Sequence, residues 1–362
     1  MFLRSNKFNF FWTILIILLM PFFLHANEKQ INLLVWYGYF DDPPGASKII
    51  EEKCNIEFSH DIYYTNSEIL NRMNKADKNE YDIIIFSNTI FHSMEKYIPK
   101  DGVNLMNQVE LYNPTIRNHY LKHNFPKNVG YFVHSLTGFL YDPDILRIEK
   151  GDSFKEIFSK AKNGIVVMLD DPVEIWNLIN ISAFGYSLTD KSNNAAASSL
   201  NFNNFKKLMQ NTDVYIANND NQLFDDKKFA GAFIWTGSFD AYASYHPKKK
   251  FELYVDPKVS YISSDLIVAM NDKPETKCVI NQIMSPEIMK FILADTQYFT
   301  PFGYTYEIEP GVHSKIYGDI TQRLGELKWL PSVSDSKYID LENNWSDIQV
   351  KISKLRSKNG IN

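Results

Sequence analysis

Asp171 and Glu174 stand three residues apart in the stretch Met168-Leu-Asp-Asp-Pro-Val-Glu-Ile-Trp176. Its apolar start and proline-led continuation read as a strand ending in a helix. Asp171 is placed to cap that helix, Pro172 suits its first turn, and Glu174 falls at its third position. One reading is that the two acids only start a helix. The other is that two carboxylates converge at a strand-to-helix mouth and hold a cation. The two roles are compatible, although the partial positive charge of a helix amino terminus opposes a bound cation slightly. If both carboxylates turned back onto the helix amides with no face toward Trp235, capping alone would account for them.

Aromatic residues add to the second reading. Trp36, Tyr39, Trp235, Tyr261 and Tyr298 each fall at or near the end of an expected strand. A ligand built of ammonium groups joined by methylenes needs both features. A carboxylate hydrogen-bonded to an ammonium contributes about 1.5–3 kcal/mol. An aromatic face covers the methylenes and adds about 0.5–2 kcal/mol for a well-placed cation.

The elements that must position these residues alternate between β-rich and helical runs. Ile31–Trp36 is an apolar strand, Pro43-Pro44 open a helix through about Lys53, and Ile56–Tyr63 is a strand. A helix from Ser67 and the strand Tyr81–Phe86, stopping at Ser87-Asn88, complete a β-α-β-α-β unit. A second unit begins near Tyr131. Ser153-Phe-Lys-Glu156 is a capping box, Gly164–Leu169 a strand, Pro172–Ser182 a helix, Ala195–Met209 a helix, and Val214–Ala217 and Gly231–Trp235 are strands. Leu266–Met270 reads as a strand, helices follow through Ile283 and over Pro286–Leu293, and Asn343–Arg356 is amphipathic. In mainly parallel sheets ligands sit beyond the carboxyl ends of the strands, where Trp36, Tyr39, Ser87, Asp171, Glu174 and Trp235 fall.

The first 26 of the 362 residues read as a secretory signal. Arg4 and Lys7 precede the apolar run Phe8–Leu24, and Ala26 ends the segment. The remainder has room for two domains. The chain carries a net charge of −5, and loss of Arg4 and Lys7 makes it two units more negative. That balance argues against nucleic acid and suits a cationic partner. Cys54 and Cys278 are too few for a disulfide framework, and their pairing stays open.

Catalytic signatures are missing. There is no P-loop, dinucleotide fingerprint, nucleophile elbow or H-E-x-x-H. Three-residue spacing on one helix start gives a shared patch rather than two acids facing across a scissile bond. No enzyme, cofactor or metal is expected. His119 and His123, four apart, could share a helix face, but without a third ligand they read as a surface pair.

An ordered series of segments then carries a resemblance. Leu34-Val-Trp36-Tyr-Gly-Tyr39 with Pro43-Pro44-Gly45, Tyr81-Asp-Ile-Ile-Ile-Phe-Ser87, Leu169-Asp-Asp171-Pro-Val-Glu174, Gly185-Tyr-Ser187, Phe233-Ile-Trp235-Thr-Gly-Ser238 and Tyr298-Phe-Thr-Pro301 together resemble the bacterial periplasmic spermidine/putrescine-binding proteins, the solute receptors of ABC importers. No single segment is specific; the order is. The resemblance implies an α/β, two-lobe periplasmic-binding-protein fold of type II-like form, with the ligand cleft between lobes. The implied division is a signal over 1–26, one lobe from 27–133 plus 263–305, and another from 134–262 plus 306–362. Crossing strands are implied near Val133–Leu140, Tyr261–Leu266 and Phe302.

The implied ligand-binding set is Trp36, Tyr39, Ser87, Asp171, Glu174, Trp235, Tyr261, Ser264, Asp265 and Tyr298. The implied partners are a small cationic amine and an ABC permease of the inner membrane, for a monomer in the periplasm. Departures from the family pattern are also visible. Gly38 stands where the family has an acid, Thr89 at or beside its second-loop tyrosine, and Leu330 follows Trp329 in place of a glutamine. The W-x-D crossing reads Tyr261-Ile-Ser263-Ser264, so its carboxylate is lost unless a register shift brings in Asp265. A shorter or differently capped amine, another small solute on the same scaffold, or a polyamine sensor docking on a membrane signalling protein are the alternatives.

Overall fold

The computed structural model describes residues 29–40, 45–75, 80–184, 207, 209, 212–217, 221–303 and 324–358. The expected leader, the Pro43-Pro44 helix opening, Gly185-Tyr-Ser187 and nearly all of the expected 195–209 helix lie outside the described residues.

The first unit is β1 (Gln30–Trp36), α1 (Gly45–Cys54), β2 (Glu57–Tyr63), α2 (Asn66–Lys75) and β3 (Ile83–Ser87). β1 runs parallel to both β2 and β3. The Ile-Ile-Ile-Phe run of β3 is buried throughout, as a parallel strand covered on both faces requires. The β1–β2 register sets Trp36 beside Tyr63, so both rings emerge at one edge of the sheet.

After α3 (Pro114–Leu121), the chain enters β4 (Val129–Tyr141), all of whose residues are buried. The second unit follows as α4 (Phe154–Lys160), β5 (Ile165–Met168), α5 (Pro172–Phe184), β6 (Asp213–Ile216), β7 (Phe229–Trp235), α6 (Ser238–Tyr245) and β8 (Glu252–Tyr254). The chain continues through β9 (Tyr261–Ala269), α7 (Pro274–Ile283), α8 (Pro286–Thr296), β10 (Lys328–Trp329) and α9 (Asp335–Lys358). The capping box at α4 is made from both sides, Glu156 N–H to the Ser153 hydroxyl and Ser153 N–H to the Glu156 carboxylate.

The strands order as β2-β1-β3-β9-β4-β7-β5-β6, with β10 on β9 and β8 on β4. β4 is the connection between two halves. Val129–Leu136 pairs antiparallel with β9, whereas Thr137–Tyr141 pairs antiparallel with β7. One continuous strand therefore leaves the first half of the sheet and enters the second at Leu136-Thr137.

Three differences from the sequence expectation have local causes. β9 begins at Tyr261 rather than Leu266, because His134, Ser135 and Leu136 of β4 pair with Ser264, Ser263 and Ile262. That partner lies far away in the sequence and overrides a polar Ser-Ser-Asp run. α9 begins at Asp335 rather than Asn343, because Ser334 accepts the Lys337 N–H and starts the helix. Phe302 itself bridges Tyr112 beside the first half, and Asn113 N–H donates to the Pro301 carbonyl, while the residues that follow Gly303, where the implied third crossing would run, lie outside the described residues. β10 instead lies parallel to β9 at Tyr261-Ile262.

Cys54 and Cys278 form a disulfide that joins the end of α1 to α7 across 224 residues of sequence. Among the described residues no helix is long and apolar enough to cross a membrane.

Candidate functional site

Where β5 hands over to α5, the two acids divide the roles. Asp171 caps the helix: its Oδ1 accepts the Val173 and Glu174 N–H groups, each at 2.9 Å. Its Oδ2 accepts a bond from Asn66 Nδ2, also at 2.9 Å. Asn66 opens α2 in the first half, so this buried bond ties the two halves together. Asn66 Nδ2 also reaches Thr89 Oγ1 at 3.3 Å, and Thr89 in turn contacts Ser87 Oγ at 3.0 Å.

Glu174 does not turn back onto the amides. Its Oε1 accepts from Trp235 Nε1 at 2.9 Å and Ser263 Oγ at 3.2 Å. Its Oε2 accepts from Tyr261 OH at 3.0 Å and, more weakly, Thr137 Oγ1 at 3.4 Å. These donors come from β7, β9 and β4, the three strands that meet at the crossing. All are neutral. They solvate the carboxylate without cancelling its charge.

Asp265 forms a third acidic position. It is half-buried and accepts a hydrogen bond from Tyr39 OH. Tyr39 packs edge-on against Phe132 at 5.1 Å and Tyr298 at 6.3 Å. Trp36 packs edge-on against Tyr63 at 5.2 Å and against Trp235 at 6.2 Å, so aromatic rings from both halves meet beside the carboxylates.

The electrostatics follow from burial. Glu174 is raised from 4.5 to about 8 by burial and by the neighbouring Asp171 charge, against the lowering effect of its hydrogen bonds. Asp171 is raised from 3.8 to about 6 by burial, with its capping amides and Asn66 pulling the other way and Asp170 adding to the rise. Asp265 is raised from 3.8 to about 6 by burial, partly opposed by Tyr39. Each shift has the same sign because burial outweighs the hydrogen bonds, and no ion pair among the described residues offsets it.

Strand alternation decides the β9 residues. Tyr261 and Ser263 reach Glu174, and Asp265, two further on, reaches Tyr39. Ser264 lies on the opposite face, where its hydroxyl contacts His134 Nδ1 at 2.8 Å in the core. The expectation that Ser264 belongs to the site is corrected: Ser263 takes that place, with a donor where the related family has a carboxylate. Ser87 sits at the mouth, half-buried, and accepts the Thr89 N–H at 3.3 Å.

Sequence reasoning missed Asn66, Thr137 and Ser263. Asn66 shared the signal used for Ser87, a polar residue at or shortly after a strand end. Thr137 carried none, being one residue inside a buried strand. Two glycines also shape the mouth. Gly38 adopts φ +95°, a conformation that disfavours any side chain, so the acid seen there in the related family would be strained. A Cβ on Gly237 would fall 2.0 Å from the Thr296 carbonyl and 2.8 Å from the Tyr298 ring. Only glycine lets the start of α6 approach the loop that carries Tyr298.

No family profile matches the chain. In sequence it is similar to the spermidine/putrescine-binding periplasmic protein of Escherichia coli K12, at 22% identity over 286 residues, 76% of this chain and 79% of the relative. Among solved structures, the spermidine/putrescine ABC transporter substrate-binding protein of Streptococcus pneumoniae matches with a TM-score of 0.68 and 17% identity, over 91% of this chain and 99% of that one. The fold is that of a two-lobe periplasmic binding protein. A lipoprotein of Treponema pallidum shares it, with a TM-score of 0.69 and 15% identity over 88% of this chain and 99% of that one. The carboxylates and aromatics described above lie at or just beyond the carboxyl ends of β1, β5 and β7, along β9, and in the loop after α8.

Proposed function

We propose that the protein is a periplasmic solute-binding protein of an ABC importer. It takes a polyamine such as spermidine or putrescine, or a related cationic amine, in the cleft between its lobes. One observation carries this reading. Asp171, Glu174 and Asp265 gather at the lobe junction, and among the described residues none of them forms an ion pair. Withdrawn anions without a cation are costly, and a ligand carrying separated ammonium groups supplies what the chain withholds. Trp36, Tyr39, Trp235 and Tyr298 offer faces for the methylenes.

The departures favour an amine shorter than spermidine or capped at one end. Gly38 removes an acid at one end of the groove, and Ser263 and Tyr261 are neutral donors that already serve Glu174. The ligand's charge is then shared between the Asp171/Glu174 pair and Asp265.

The lobes in this reading comprise 27–133 with 263–305, and 134–262 with 306–362. The change of β4 partners at Leu136-Thr137 supports the first boundary to within a few residues. α9 supports membership of the late segment in the second lobe, since Trp345 Nε1 and Gln349 Nε2 both donate to Asp170. The protein acts as a monomer, catalyses no reaction, and delivers its ligand to an inner-membrane permease that reads lobe closure. The disulfide supports export to an oxidising compartment.

A calorimetric panel of putrescine, cadaverine, agmatine and spermidine against the secreted protein tests the reading. Binding of at least one amine well below millimolar concentration is expected. Absence of heat and of any thermal shift with all four at millimolar concentration overturns it.

A further inference from the structure

Behind the cleft, a second group of polar side chains has no part in amine binding. Tyr131 and Phe132 are neighbours on β4 and face opposite ways: Phe132 packs on Tyr39, while Tyr131 turns to His119. His119 Nδ1 lies 2.8 Å from Tyr131 OH, and the imidazole stacks on Trp329 of β10 with centroids 3.9 Å apart and an interplanar angle of 18°. His123, one turn after His119, stacks on Phe125 at 5.1 Å and 12°. The rings of His119 and His123 are canted to each other at 62°, and their Nε2 atoms stand 3.4 Å apart.

That separation has a chemical meaning. Two imidazole nitrogens bound to one tetrahedral zinc at ~2.0–2.1 Å each are ~3.3–3.4 Å apart. We propose that His119 and His123 form a chelating site for a late divalent transition metal, with zinc, nickel or copper as the matching class. In the free protein the two Nε2 atoms share a hydrogen bond; the metal displaces its proton to solvent, and water completes the coordination.

Three geometric features support the assignment. Both rings are held by aromatic partners before any metal arrives, so little rotamer freedom is lost on binding. Tyr131 OH lies within hydrogen-bond distance of His119 Nδ1 and holds the ring in place, as outer partners of ligating histidines do. The two positions are four apart in sequence, which sets both imidazoles on one side of the turn that ends α3. Lys122 lies between them in sequence and opposes a dication, while Glu95, paired with His92 at 3.7 Å, adds a negative charge nearby.

The test is titration of the full, tag-free secreted chain with zinc chloride by calorimetry near pH ~7.5, where unperturbed imidazole is neutral. One zinc per chain is expected, with affinity falling at least ~10-fold in His123→Gln and in His119→Gln, and about 10-fold in Tyr131→Phe. His60→Gln serves as a control and leaves binding unchanged. Cobalt(II) in place of zinc reports a tetrahedral site through its visible absorption, which a scattered surface histidine does not give. Because His119 packs on Trp329, the half-exposed His123 is the deciding position should His119→Gln lose its fold by circular dichroism. Absence of binding with zinc, nickel and copper at millimolar concentration, or binding unaltered in folded His123→Gln, overturns the proposal. The amine panel is scored separately, so failure of one site leaves the other standing.

Discussion

Two sets of withdrawn carboxylates coexist in this chain and are treated in opposite ways. Asp82, Asp142 and Asp152 lie at the edges of the lobes, and each has its own lysine: Lys273 at 2.9 Å, Lys249 at 2.9 Å and Lys160. Burial pushes Asp152 up, but the Glu149 amide and Lys160 outweigh it and hold the carboxyl below its usual value. Asp171, Glu174 and Asp265, where the two halves of the sheet meet, receive hydrogen bonds from amides, hydroxyls and an indole but, among the described residues, none from lysine or arginine. All three are raised. Neutral dipoles can solvate an anion in the interior, but they leave its net charge for something else to balance. Thus an acid at the junction, once ionised, carries a charge that the surrounding hydrogen bonds do not balance, whereas each edge acid has its lysine.

Breaking the two sets should have different consequences. Lys249→Met strands Asp142 without its cation and is expected to destabilise the protein by about 3–5 kcal/mol. Glu174→Gln removes a charge that no side chain balances, and in the absence of ligand it should change stability far less. Urea melts near pH ~8, at the upper end of the usual stability range, compare the two. Equal destabilisation would mean that the protein itself compensates Glu174, and the distinction would fail.

The pH dependence sharpens the contrast further. A carboxylate whose folded pKa lies above its unfolded value stabilises the fold while protonated, and that contribution is lost as pH rises through the folded value. For Glu174 the window runs from 4.5 to about 8, and for Asp171 and Asp265 from 3.8 to about 6. A bound cation reverses the shift, so putrescine binding near neutral pH should release protons. Affinity should then weaken by about tenfold per pH unit for each proton released, on acidifying from about 8 toward 6. Calorimetry in buffers of different ionisation enthalpy measures the release directly. Binding without proton release would show that the junction acids are already ionised in the free protein.

The smallest expected effect concerns the weakest solvated of the three acids. Asp265 has a single side-chain donor among the described residues, Tyr39. Tyr39→Phe removes it, raises Asp265 further and should weaken amine binding by about 1 kcal/mol, roughly fivefold. An unchanged dissociation constant would place the ligand's charge on the Asp171/Glu174 pair alone.

The linear chain carried much of this molecule. The strand-helix alternation, the capping box at Ser153 and Glu156, the acids after β5 and the aromatics at strand ends all arise from local pattern. Their physics acts within a few residues, so sequence reading reaches them. Asp171 could be recognised as a cap for the same reason. What the chain could not settle is what faces what. Asp265 rather than Ser264 shares the face of Tyr261 and Ser263 because β9 pairs with β4 in one register, and a slip of one residue would exchange them. Asn66 reaches Asp171, Thr137 reaches Glu174 and Cys54 finds Cys278 only when distant segments pack together. His119 and His123, which read as a surface pair, prove half-buried: Trp329, from a strand far along the chain, covers His119, and Phe125 covers His123. The sequence by itself supplied the charges and the rings; their pairing, burial and lack of a cation were decided by the tertiary structure, since those properties depend on neighbours that only folding brings together.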